Sequence, residues 1–124
     1  MTTAREVIQR RRDEQRSLVE RARRHVDALE RSLDLRAAVV VGSVARGDFH
    51  SASDIDLVVV VADLPAAPSA RWRLVAARGG RVQPVAWTPA EFAAALGRRN
   101  PLAVDALDHG IWIVGSPDDV APGA

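Results

Sequence analysis

Two polar features of the sequence could do chemistry together: a Gly-Ser pair and, further along, a pair of aspartates. Gly42 and Ser43 directly follow an apolar run that ends at Val41. Glycine has no Cβ, so a tight turn here leaves backbone N–H groups open to an anion such as a phosphate chain. Asp54 and Asp56 are spaced i, i+2 at the start of a second apolar run, which places both carboxylates on one face of a strand.

Two neighbouring carboxylates repel each other unless a cation lies between them. Their hard oxygen atoms suit Mg²⁺, which proteins commonly hold with one or two carboxylates together with the phosphates of a substrate. The segment from Gly42 to Asp56 therefore predicts a site for a metal-bound nucleoside triphosphate.

Length and composition exclude several other classes of protein. The chain has 124 residues, of which 48% are hydrophobic, and this is typical of one globular domain with a substantial core. It has no cysteine, which excludes disulfides and thiolate zinc sites. The sequence contains no N-terminal apolar segment and no long apolar run, so we expect a cytoplasmic protein that does not enter a membrane. A net charge of +1 does not favour nucleic acid as a direct target.

A long N-terminal helix is predicted from Thr3 to about Leu33, because no residue breaks it. Its second half should pack on the body of the protein through apolar residues at steps of three and four, which are Val19, Ala22, Val26, Leu29 and Leu33. The segment from Gln9 to Ser17 has no apolar face. We expect it to be a projecting solvated helix or frayed, and its arginines to be solvated or to contact a partner protein or RNA.

Apolar runs after this helix predict four short strands, of which the first two should be neighbours. They are Ala37–Val41, Ile55–Val61, Arg81–Trp87 and Ile111–Val114.

Capping residues predict three further helices between these strands. Ser69 is expected to cap a helix that runs to Arg78. Thr88 and Glu91 have the spacing of a capping box for a helix that ends at Gly97. A last helix is predicted from Asn100-Pro101 to Asp108.

The motif resembles that of a known family. Gly42-Ser43, then Ala45-Arg46-Gly47, then Ser53-Asp54-Ile55-Asp56-Leu57 are similar to the minimal nucleotidyltransferases, the small branch of the DNA polymerase β-like nucleotidyltransferase superfamily. The resemblance covers residues 19–116. It implies an α+β fold with a small mixed sheet flanked by helices. Residues 1–18 would then be a projecting or frayed helix start, and residues 117–124 a flexible tail.

The resemblance also implies roles for the motif residues. Asp54 and Asp56 would be the catalytic residues and hold Mg²⁺, while the nucleotide, most simply ATP, would contact Gly42, Ser43, Arg46 and Ser53. Small members of this family often act as antitoxins that adenylylate a helical HEPN-type ribonuclease toxin. A protein partner of that kind is therefore expected, with a homo-oligomer as the alternative.

The sequence departs from the family pattern at a third carboxylate, which should lie on a neighbouring strand. The position assigned to it holds Gln83. Glutamine offers one neutral oxygen but no negative charge to help bind the metal or to activate a hydroxyl as a base. The third position is therefore doubtful.

Three functions fit these observations. The first is transfer of a nucleoside monophosphate, such as AMP from ATP, to a hydroxyl on a partner protein, as in a toxin-antitoxin pair. The second, supported by Gln83, is a non-catalytic nucleotide-binding antitoxin or regulatory subunit. The third is an antibiotic nucleotidyltransferase of the aminoglycoside type, which would need an acceptor domain from elsewhere.

Several other polar or aromatic residues have simpler explanations. His50 is expected in an exposed loop, and Trp87 in the core although it shares a strand face with Gln83. Ordinary solvation is expected for Asp105 and Asp108.

Overall fold

The computed structural model describes residues 1–120. Its strands are β1 (Leu35–Val41), β2 (Ile55–Val61), β3 (Val82–Trp87) and β4 (Ile111–Val114). Its helices are α1 (Ala4–Glu30), α2 (Gly42–Arg46), α3 (Pro68–Val75), α4 (Pro89–Gly97), α5 (Pro101–His109) and α6 (Pro117–Val120). The predicted α+β fold with a small mixed sheet and a long N-terminal helix is confirmed.

The sheet has the strand order β3-β2-β1-β4. Strand β1 runs antiparallel to both β2 and β4, whereas β2 and β3 are parallel. The carboxyl end of β1 therefore meets the amino ends of β2 and β3 at one edge of the sheet. Residues that follow β1 and residues that begin β2 and β3 are brought together there.

One face of the sheet is covered by α1. The helix contributes apolar residues from its second half, which are Leu18, Val19, Ala22, Val26 and Leu29. They pack on one alternating set of strand residues, which includes Val40, Leu57 and Val59. The helix ends at Glu30, so the predicted contact of Leu33 comes from the turn that follows.

The opposite face is covered by the helices that follow β3. The other alternating set of strand residues, including Val39, Val41 and Val58, packs against Phe92 of α4 and Ala103 of α5. Both faces are thus buried, which is why β1 and β2 read as unbroken apolar runs rather than as alternating ones.

The first half of α1 is helical and is not free of the body. Arg11 donates hydrogen bonds to the carbonyl oxygens of Gly47 (3.0 Å) and Phe49 (2.6 Å), and its guanidinium lies 4.0 Å from the Phe49 ring centroid. Gln15 donates to the carbonyl oxygen of Val44 at 2.7 Å. Since these contacts are polar, the missing apolar face did not reveal them. The expectation of a freely projecting or frayed start is corrected at these positions.

The prediction of a flexible tail from residue 117 is wrong for its first part. Pro117–Val120 form α6, and Val120 is only 4% exposed in the core next to α4 and α5. Asp119 accepts a hydrogen bond from the Ser116 N–H at 2.7 Å, which holds the start of this helix. Residues 121–124 lie outside the described residues.

Local capping signals predicted one helix start well and another badly. The capping box of α4 is present, because the Thr88 hydroxyl accepts from the Glu91 N–H and the Glu91 carboxylate accepts from the Thr88 N–H. The start of α3 is different from the prediction: its N-cap is Ala67, Ser69 lies inside the helix, and the helix ends at Val75 instead of Arg78.

Among residues 1–120, no helix combines the length and the apolar character that crossing a membrane requires.

We expect Thr88→Ala to lower the free energy of unfolding by about 1 kcal/mol, because it removes the side-chain half of the α4 capping box. Chemical denaturation measures the change. Thr88→Ser keeps the hydroxyl and should lose much less, and equal losses in the two variants would contradict a capping role.

Candidate active site

Gly42 lies at the end of β1 in a conformation that favours glycine, with φ at +72°. A Cβ built on this residue would lie 2.6 Å from Oδ2 of Asp56. Glycine is therefore required twice, once by the left-handed backbone and once by the close carboxylate. The chain turns at once into α2, which carries Ser43 and Arg46.

Asp56 lies in the second position of β2, between two neighbouring strands. Its Cα pairs with Val41 on β1 and with Gln83 on β3. Asp56 is partly buried, whereas Asp54, which precedes the strand, is exposed. Strand pairing thus places the Gly-Ser turn and the aspartate pair side by side, as the motif predicts.

The electrostatics of this pair favour a cation. Burial raises the pKa of Asp56, and the negative charges of Asp54 and, more weakly, Asp105 raise it further, while the positive charge of Arg46 lowers it. The positive charge near Asp56 is therefore too small to stabilise the ionised carboxylate as well as water does. Two neighbouring carboxylates, of which Asp56 has a raised pKa, fit Mg²⁺ held jointly with substrate phosphates. Among the described residues, no three His, Asp or Glu side chains converge to hold a metal without such phosphates.

Gln83 lies where the third carboxylate was expected. It is the β3 residue that pairs with Asp56, and residues paired across parallel strands point to the same face. Its amide group donates a hydrogen bond to the carbonyl oxygen of Gly80. The neutral side chain is thus engaged with its own loop, and β3 brings no negative charge to the site at this position.

Asp105 of α5 belongs to this site, and the expectation of ordinary solvation was wrong for it. Its Oδ2 accepts a hydrogen bond from the Gly42 N–H at 2.5 Å and another from Nη1 of Arg46 at 3.2 Å. The side chain is 13% exposed. Sequence reasoning missed it because one aspartate on a polar helix surface gives no signal of a partner so far along the chain.

Arg46 is held by two carboxylates. It pairs with Asp48 at 3.4 Å as well as with Asp105. In this structure the guanidinium of Arg46 is thus engaged by carboxylates of the protein itself. Contact with a nucleotide stays a prediction.

A cavity of about 680 Å³ opens between the Gly-Ser turn and α5. It is lined by four of the predicted site residues, which are Gly42, Ser43, Arg46 and Asp56. Its other wall includes Arg99, Asp105 and Asp108. Arg99 has a left-handed backbone with φ at 59°, which is uncommon for a residue with a Cβ and often marks functional sites. Asp54, Ser53 and Gln83 lie outside this lining.

Ser53 has a structural part in the turn that leads to Asp54. Its hydroxyl accepts from the His50 N–H at 2.8 Å, and its carbonyl oxygen accepts from Nε of Arg81 at 3.0 Å. Arg81 also donates to the carbonyl oxygen of Ser51 at 2.7 Å. These bonds fix the loop before Asp54, and a direct contact of Ser53 with nucleotide stays a prediction.

Trp87 packs in the core and not in the cavity. Its ring meets Phe92 edge to face with centroids 5.9 Å apart. The aromatic residue on the Gln83 face of β3 therefore supports α4, as expected.

Comparison with known protein families identifies the family to which this chain belongs. The sequence model for the nucleotidyltransferase domain matches residues 20–113. The chain belongs to this nucleotidyltransferase family. Membership of the polymerase β-like superfamily is thus confirmed, and transferase chemistry is indicated in general terms.

Solved structures with the same fold support the assignment. A proposed nucleotidyltransferase from Sulfolobus solfataricus has a TM-score of 0.60 at 21% identity, over 82% of this chain and 84% of that one. A toxin-antitoxin crystal structure with AMP-PNP contains a chain with a TM-score of 0.51 at 23% identity, over 78% of this nucleotidyltransferase and 77% of its own length. No curated protein matches the sequence.

We expect Gly42→Ala to weaken binding of Mg²⁺-ATP to this nucleotidyltransferase by at least about tenfold, because the new methyl group would displace the Asp56 carboxylate. Isothermal titration calorimetry measures it. Gly79→Ala is the matched control, since Gly79 also has a positive φ (+87°) but nothing lies within 4 Å of its built Cβ. Equal affinity in the two variants would contradict the requirement for glycine beside Asp56.

The raised pKa of Asp56 predicts a pH-dependent stability. Because the pKa is higher in the folded state, the ionised carboxylate costs stability above it, and the cost disappears as the pH falls through it. In EDTA at about pH 7, Asp56→Asn should melt a few degrees above the wild type, and the gap should close toward about pH 4. Thermal unfolding measures it, with the exposed Asp63→Asn as control. A constant gap would show that ionisation is not its cause.

Proposed function

We propose that this protein transfers a nucleoside monophosphate, AMP from ATP, to a hydroxyl group on a partner protein and acts as the antitoxin of a toxin-antitoxin pair. One observation carries the proposal: the Gly42-Ser43 turn, Arg46 and Asp56 line a single cavity in a chain of the nucleotidyltransferase family. The cavity volume of about 680 Å³ lies within the range of small-molecule sites.

The proposed reaction is an in-line displacement at phosphorus. The acceptor oxygen forms a bond to the α-phosphorus, the bond from that phosphorus to the bridging oxygen breaks, and pyrophosphate leaves with the electron pair. Such a step depends mainly on positioning and on positive charge near the attacking and leaving oxygens. Bound Mg²⁺ would supply that charge, held by Asp54 and Asp56.

The chain's own groups position the nucleotide. The Gly42 N–H, the Ser43 hydroxyl and the Arg46 guanidinium on the same wall of the cavity are groups that can donate to phosphate oxygens. In this structure the Gly42 N–H and Arg46 donate to Asp105, which a bound phosphate would replace. Gln83 cannot accept a proton as a carboxylate does, so the hydroxyl proton passes to solvent or to the aspartate pair. The missing carboxylate at Gln83 lowers the expected rate of nucleotidyl transfer but leaves the nucleotide site in place.

A protein acceptor is supported by one structural neighbour. A chain of similar fold occurs in a toxin-antitoxin structure with AMP-PNP. We therefore propose a toxin as the partner, of the helical HEPN type that the family resemblance implies.

A second function is favoured by a specific contact. The Gln83 amide is bound to the Gly80 carbonyl beside Asp56, where family members are expected to have a carboxylate. A non-catalytic antitoxin would keep the nucleotide cavity and inhibit its partner by binding alone.

Incubation with Mg²⁺ and α-labelled ATP, with and without the product of the neighbouring gene, separates the two functions. We expect the wild type to transfer label to the partner. Asp54→Asn combined with Asp56→Asn should lose the label by at least about a hundredfold while the protein stays folded, because the metal ligands are removed.

Two controls make this experiment decisive. Gln83→Asp restores the missing charge beside Asp56 and should raise labelling if the site is catalytic. Asp63→Asn, which changes an exposed carboxylate elsewhere, should leave labelling unchanged. If no acceptor is labelled by the wild type or by Gln83→Asp, although both bind ATP and the partner, the non-catalytic function is the correct one.

A further inference from the structure

The backbone N–H of Gly42, which the motif offers to a phosphate, already has an acceptor inside the protein. Oδ2 of Asp105 lies 2.5 Å from this nitrogen and 3.2 Å from Nη1 of Arg46. One carboxylate oxygen thus takes both hydrogen bonds. These two donors, a backbone N–H and a guanidinium, are groups that typically bind a phosphate oxygen.

The position of Asp105 is fixed by the fold and not by a flexible loop. The residue lies in the middle of α5, and its helix neighbours Ala103 and Ala106 are fully buried against the sheet. Its side chain is 13% exposed at the wall of the cavity, so water competes only weakly for the carboxylate. An anion that binds Gly42 must therefore displace this carboxylate or share a donor with it.

The charges around the cavity oppose such an anion when it arrives alone. Asp56, Asp105 and Asp108 line the cavity together, and the negative charge of Asp105 contributes to the raised pKa of Asp56. The basic side chains in the lining are Arg46, which is already paired, Arg99 and His109. A bare polyphosphate would meet several carboxylates at short range, whereas a divalent cation bound to it would compensate them.

We propose that Asp105 is a specificity-determining residue that occupies the phosphate position of the cavity and excludes polyphosphates that carry no divalent cation. The inference rests on the proposed function only for the identity of the ligand, a nucleoside triphosphate or its pyrophosphate part. Asp54 and Asp56 would hold the cation of a metal-bound polyphosphate, and the phosphate oxygens would then replace the Asp105 carboxylate at the Gly42 N–H and Arg46. Asp105 acts by occupying these donors and takes no part in the chemical step.

Calorimetric titration with inorganic pyrophosphate tests this role without any acceptor or transfer. Wild type, Asp105→Asn and Asp108→Asn are each titrated in EDTA and again with excess Mg²⁺. Asp105→Asn keeps the shape of the side chain but removes its charge. Asp108→Asn removes a charge from the same cavity wall, and no hydrogen bond to Gly42 is found for Asp108 among the described residues.

We expect Asp105→Asn to bind metal-free pyrophosphate at least about tenfold more tightly than the wild type, because the variant no longer repels the bare anion. Its affinity for magnesium pyrophosphate should stay within about threefold of the wild-type affinity, because the cation already compensates the charge of the wild-type carboxylate. Asp108→Asn should gain clearly less in EDTA. Adding Arg46→Gln to Asp105→Asn should cancel the gain, since the freed guanidinium is one of the two donors. Circular dichroism and thermal unfolding verify that each variant is folded.

Unchanged or weaker metal-free binding in a folded Asp105→Asn variant would overturn the proposal. Loss of both metal-free and magnesium-dependent binding would assign Asp105 to positioning of the Gly42 turn instead. An equal gain in Asp108→Asn would show a general charge effect. These outcomes are separate from the proposed function, because absence of label transfer leaves the pyrophosphate affinities unaffected.

Discussion

The antiparallel pairing of β1 with β2 is the interaction on which the site depends. It places Val41 opposite Asp56, so that the turn after β1 begins beside the aspartate pair. A shift of one residue would move Asp56 to the other face of the sheet and would carry each valine from one core to the other. The packing of both faces fixes this register, because the two alternating sets of strand residues fit different helices, α1 on one face and α4 and α5 on the other. The same strand register thus determines both the packing of the core and the geometry of the site.

The cavity wall brings three carboxylates close together, those of Asp56, Asp105 and Asp108. The β3 residue paired with Asp56 is the neutral Gln83, so the charge expected on this strand is absent. A carboxylate on α5, Asp105, instead accepts hydrogen bonds from the Gly42 N–H and from Arg46. In the role proposed for Asp105, this arrangement distinguishes metal-bound from metal-free polyphosphates.

Much of the fold was predicted correctly from short stretches of the sequence. Strand β2 and strand β4 begin and end where the apolar runs predict, and Thr88 caps α4 as its spacing with Glu91 predicts. One error was local, because Pro68 already begins α3 and Ser69 therefore lies inside the helix. Another arose from packing, because Val120 is buried in a segment of polar and small residues. The burial of Val120 depends on neighbours that no short stretch of sequence contains.

By itself the sequence determined the family, the bounds of β2 and the identity of the Gly-Ser turn, because each depends on residues close together in the chain. The tertiary structure alone decided that Asp105 would reach the Gly42 N–H, across a separation of 63 residues, and that Arg11 would hold the loop after α2. Long polar side chains find such partners only after the apolar faces of α1 and α5 have docked on the sheet. A charge on a helix surface carries no local sign of the group it will meet.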